Sequence, residues 1–132
     1  MGSPAEEIIR YYEKELGWVP PFVRVFARYV PGSLDGYLAM RRAVMKEPPQ
    51  GALPKQTKEM LFSILDAVTG EADGARAHAK SAIDAGLAVE QLAEGYAIAM
   101  MVTGITTMCK GGVGAIEAAE ERFKERHRGR AE

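Results

Sequence analysis

The chain has a single cysteine, Cys109, and only two histidines among its 132 residues. A lone thiol cannot close an internal disulfide, and two histidines with one cysteine are too few for a protein-only zinc site of the Cys/His type. No metal is therefore expected, and stability must come from packing. Long apolar runs are also missing: Gly, Thr or a charge interrupts each one well short of the roughly 18 residues a membrane span needs. Nor does either sign of charge prevail. Seventeen Lys and Arg stand against eighteen Asp and Glu, a net charge of -1. Such a balance gives no field to gather nucleic acid or an anionic membrane. The N-terminus shows no secretory leader, so a cytoplasmic location is expected.

What is present is helical punctuation. No segment shows the strict alternation of a half-buried strand, and proline and glycine divide the chain into about seven segments with helical periodicity. The reading is an all-α, multi-helix bundle forming one domain over 1–132, with an N-terminal helical arm (1–53) and a core (54–127). Ser3 and Pro4 open a first helix that carries Ile8, Ile9 and Tyr12 and stops at Gly17. Trp18 to Pro21 is a rigid connector. A second helix sets Phe22, Val25, Phe26 and Tyr29 on one face, and Ser33 caps a third that runs through Leu34, Tyr37, Leu38 and Met45. Pro48 to Pro54 reads as a loop, because its prolines forbid a regular ladder.

After Pro54, a stripe of Met60, Leu61, Ile64, Leu65 and Val68 marks a helix closed by Thr69-Gly70. The next runs from about Ala72 to Ala85, with Gly86 as a left-handed cap. Leu87 to Thr107 is expected as one long helix, buried around most of its circumference. The last helix spans about Val113 to Arg126, with Ile116, Ala119 and Phe123 inward and a frayed basic tail beyond.

Lys58-Glu59-Met60-Leu61, Gly70, His78, Ala82, Gly86-Leu87 and Glu90 resemble in type and spacing the core of the carboxymuconolactone decarboxylase and alkylhydroperoxidase D-like superfamily. The resemblance is good over about 54–120 and loose before it. In the peroxidase branch a glutamate on the core helix precedes a Cys-x-x-Cys-x-x-x-His motif, at the spacing found here between Glu59 and His78. Counting back from His78, the two cysteine positions fall on Glu71 and Gly74. The chain is thus similar to the cysteine-less decarboxylase branch. That resemblance implies a helical protomer assembling as a trimer or hexamer, with a pocket near the histidine.

His78 shares a helix face with Ala75, Ala79 and Ala82, so it should point into the packed side. There it can act as proton donor or acceptor, or serve as a core histidine with a satisfied hydrogen bond. Glu59 can orient that ring or take a proton itself, or simply favour the helix dipole. Glu71, Tyr96 and Met100 are candidate pocket residues, although Glu71 also suits a helix start, and Asp73 and Arg76 read as a solvated pair. Arg76 or Lys80 is placed to hold a substrate carboxylate. Cys109 beside Lys110 is a conceivable peroxidatic thiol, more simply a small residue at a helix junction, and Lys110-Gly111-Gly112 is a weak anion-turn signal. The expected function is cofactor-free His/Glu acid-base chemistry on a small carboxylate or lactone. The alternatives are a non-catalytic helical assembly or binding module, and a single-thiol peroxidase using Cys109.

Overall fold

A computed structural model describes residues 2–128. Seven α-helices and one short π-helix make up the regular structure, with no strand among the described residues. The basic tail expected beyond Arg126 lies for the most part outside the described residues. No helix of the described residues is long and apolar enough to cross a membrane. The residues fall into two compact units that divide between Ala52 and Leu53.

The first unit holds α1 (Pro4–Glu15), α2 (Phe22–Tyr29) and α3 (Gly32–Val44). Ser3 caps α1 as expected, in a reciprocal capping box with Glu6. Ile8, Tyr12, Val23, Leu34 and Leu38 form its core. The Tyr12 hydroxyl donates to that of Tyr37 at 3.2 Å, and the Arg41 guanidinium lies over the rings of Tyr11 and Tyr12. Two expectations need correction. Ser33 does not cap α3, which starts at Gly32, and its hydroxyl donates back to the Val30 carbonyl. On α2 the inward residue is Val23, whereas Val25, Phe26 and Tyr29 are exposed. A two-turn helix lying over α1 and α3 has room to bury only a narrow stripe.

The second unit holds α4 (Lys55–Thr69), α5 (Ala72–Asp84), α6 (Val89–Thr103), the π-helix Met108–Gly112 and α7 (Val113–His127). Helix α5 is its centre, packed against α4 and α7. Eight of its 13 residues are buried: Gly74, Ala75, Ala77, His78, Ala79, Ser81, Ala82 and Ile83. Small side chains let neighbouring helix axes come close. Gly86, at φ 105°, ends α5 as expected, and the Leu87 amide reaches back to the Ala82 carbonyl. At the far end of α5, Asp84 accepts hydrogen bonds from Arg122 and Arg126 of α7.

The long helix expected over Leu87–Thr107 is shorter and more exposed than its sequence suggests. It starts at Val89 and ends where Gly104 adopts φ 92°, a backbone region open to glycine and strained for other residues. Only Leu92 and Tyr96 of α6 are buried, while Ile98, Met101 and Val102, and Ile105 after the break, are exposed. On α7 the inward residues are Ala115 and Ala119, with Ile116 beside them. Phe123 is exposed and stacks on His127 instead.

Candidate functional site

Helix α4 does not bury its most apolar stripe. Leu61 and Leu65 are exposed, and the buried residues are Lys58, Glu59, Ser63 and Ala67. Polar side chains can face inward when partners wait for them. Ser63 Oγ donates to the Ala75 carbonyl of α5 at 2.7 Å, and the Tyr96 hydroxyl of α6 donates to the Ser63 carbonyl at 2.9 Å. The two hydroxyls lie 2.8 Å apart. Burial pushes the Tyr96 phenol up to about 12; the bond to Ser63 works against this and the charge of Asp66 adds to it.

Next to this cluster, His78 Nδ1 lies 2.6 Å from Glu59 Oε2. Side-chain exposure is 7% for His78 and 1% for Glu59. Two buried ionisable groups hydrogen-bonded to each other form a unit whose orientation is fixed. Phe62 adds a wall, its ring stacked on the imidazole at 4.8 Å and 19°. On the other side of the ring, Asp66 Oδ2 stands 3.7 Å from Nε2. Glu59, Phe62 and Asp66 follow at steps of three and four residues, so one face of α4 surrounds three sides of His78. With Glu59 ionised, Nδ1–H donates to it and Nε2 becomes the nitrogen that gains and loses a proton. Such an arrangement suits general acid-base chemistry.

The structure thus brings His78 and Glu59 together and places the other candidates as follows. Tyr96 is buried and bonded to Ser63, close enough to Asp66 to feel its charge. Met100, one turn further along α6, is exposed. Glu71 is the N-cap of α5, accepting from the Gly74 amide. Asp73 and Arg76 form an exposed ion pair. Arg76 and Lys80 lie on the exposed stripe of α5, away from the buried face that carries His78. Neither is therefore positioned to hold a substrate at the imidazole. Cys109 is exposed within the π-helix. Gly111 and Gly112 make no anion turn: both are buried, one against Ala67 and the other against Tyr96 and Met108.

Asp66, Phe62 and Ser63 escaped the sequence reading. Their spacing from Glu59 was the available signal, but an apolar stripe on the other side of the helix outweighed it. A groove of about 720 Å³ in the first unit is lined by Gly2, Glu7, Arg10, Tyr11, Lys14, Glu15 and Arg42. It contains none of the candidate residues.

The comparisons with known proteins bear on the family and the fold. No curated protein matches the chain. A crystal structure of a Burkholderia xenovorans LB400 protein, proposed to be a carboxymuconolactone decarboxylase, is 31% identical, with a TM-score of 0.82 over 96% of this chain and 98% of that one. The likeness therefore takes in the N-terminal helices, where the sequence resemblance was loose. Residues 31–111, more than half of the chain, match the carboxymuconolactone decarboxylase family from α3 to the π-helix and include Glu59, Asp66 and His78. The chain belongs to the carboxymuconolactone decarboxylase family.

Proposed function

We propose that this protein is a cytoplasmic, cofactor-free enzyme that acts on a small organic acid or lactone by proton transfer at His78, with Glu59 as its partner. The observation that carries this reading is the buried 2.6 Å contact between Nδ1 and Oε2, which fixes the ring and leaves Nε2 for the reaction. In a decarboxylation the bond to the departing carboxylate breaks, its electron pair stays on the substrate as an enolate, and a proton from His78 quenches it. Dithiol peroxidase turnover is outside its reach, because Glu71 and Gly74 occupy the positions of the thiol pair.

The test is His78→Gln, which keeps much of the volume and one hydrogen bond. The expected variant folds, still binds a cognate acid or lactone and loses about 10²- to 10⁴-fold in turnover. Glu59→Gln should match it, with the double variant little worse than either, as for groups acting as one unit. A competing structural reading draws on the same burial: the pair would then only hold α4 to α5. In that case His78→Gln lowers the melting temperature and leaves turnover intact.

We also assign the exposed apolar residues Ile98, Met101, Val102 and Ile105 to contacts between copies in a homo-oligomer, a trimer or hexamer. Exposed apolar residues concentrated at one end of a helix are the kind that interaction sites cover. Light scattering reporting a stable monomer at micromolar concentration would overturn that assignment.

A further inference from the structure

We propose that Asp66 is the group through which His78 exchanges protons with the outside of the site, and that Gly74 is glycine because any side chain there would displace it. The inference rests on the proton-transfer reading of His78 and adds a residue and a route to it.

Geometry singles out Asp66. Of the three ionisable groups in line, Glu59 and His78 are almost sealed, whereas the Asp66 side chain is 30% exposed. Glu59 occupies Nδ1, so a proton bound for the ring must arrive at Nε2, and the carboxylate standing 3.7 Å from that nitrogen is Asp66. At that separation a small side-chain rotation closes a direct hydrogen bond, with no room for an intervening water. Phe62 covers a face of the ring. The Tyr96 hydroxyl, the other titratable group that feels Asp66, is engaged with Ser63.

Gly74 supplies a second, independent observation. A Cβ built on it would overlap Oδ2 of Asp66 and come within 3.1 Å of its Cγ. The carboxylate therefore rests directly on the backbone of α5, one turn before His78. Glycine inside a helix costs up to about 1 kcal/mol relative to alanine, and the seat it leaves for Asp66 accounts for its presence. In the exchange step, protonated Asp66 gives its proton to Nε2 and becomes a carboxylate, and the resulting imidazolium lies between two carboxylates. Solvent then reprotonates Asp66. The reverse path carries a proton outward.

The experiment is water-exchange NMR on the full chain labelled with ¹⁵N-histidine, reading the ring N–H of His78 with His127 as internal control. The proton read is the one carried on Nε2, which Asp66 delivers and removes, so removing the carrier slows its exchange. Asp66→Asn is expected to slow exchange on the order of tenfold or more. Gly74→Ala, which pushes the carboxylate away, should slow it in the same direction, and His127 should be unaffected in both. A merely structural Asp66 gives the opposite sign, since a loosened site exchanges faster. Unchanged or faster exchange in Asp66→Asn, or failure of that variant to fold, overturns the proposal. Where the wild type turns over an acid or lactone, Asp66→Asn should lower kcat with little change in KM. Absence of any wild-type turnover would count against the proposed function, while ring exchange would still decide the role of Asp66.

Discussion

Helices α5 and α6 reverse the usual relation between hydropathy and burial. Helix α5 is built of alanines, glycine, serine and a histidine, with charges at Asp73, Arg76, Lys80 and Asp84, yet it is the centre of its unit. Helix α6 carries Ile98, Met100, Met101 and Val102, and all four are exposed. The difference is one of partners. A helix with small inward residues can be approached closely from two sides, by α4 and α7 here. Helix α6 also meets α4 and α7, but less extensively, and its bulky residues at 98 and 100–102 stay exposed. The contrast also explains the site: α5 buries a histidine because α4 supplies a carboxylate at hydrogen-bonding distance, and a buried polar group is tolerated only when paired.

The largest expected effect on stability comes from spoiling the close approach. Ala79 is fully buried on α5, and Ala79→Leu should destabilise by roughly 1–3 kcal/mol or more through overpacking. Chemical denaturation measures it, and a neutral result would mean that α5 is not closely packed.

Tyr96→Phe comes next. The loss of its hydroxyl leaves Ser63 with fewer partners, at a cost of about 1–2 kcal/mol. Because burial raises the phenol from 10.0 to about 12, Tyr96 supports folding fully below about pH 10, and that contribution is lost as pH rises toward 12. The wild type should therefore lose stability across this window, and Tyr96→Phe should flatten the slope.

Asp84 tests the far end of α5. Burial alone would raise its carboxyl, but hydrogen bonds and charge from Arg122 and Arg126 outweigh burial and hold it below the ordinary 3.8. The stabilisation is present above that ordinary value and fades as pH falls through the lowered one. At a partly exposed site, Asp84→Asn should cost about 0.5–1 kcal/mol at neutral pH and nothing in strong acid. Equal stability at pH 7 would show the ion pairs to be ornamental.

The smallest effect on the fold belongs to α6. Met101 and Val102, 84% and 82% exposed, should accept Lys with a change within about 0.5 kcal/mol per site. The same substitutions should dissociate the proposed oligomer. A double variant that keeps its assembly size would show that this face is not the contact.

Local chemistry was legible in the sequence. The caps at Ser3, Gly70 and Gly86, the proline-rich loop after α3 and the alternation of helix and breaker fix an all-α chain, because each depends on a few neighbouring residues and their φ values. The pairing of His78 with Glu59 was read from spacing and family likeness. Facing direction was not legible on α2, α4 and α6, where the apolar stripe and the buried stripe differ. On α4, Leu61 and Leu65 gave a clear apolar signal, yet Glu59, Phe62, Ser63 and Asp66 are the residues turned toward His78, Ala75 or Tyr96. A sequence records which groups a helix carries. Only the tertiary structure brings the hydrogen-bond partners that make a polar face cheap to bury, and only there does Gly74 become the seat of a carboxylate eight residues before it.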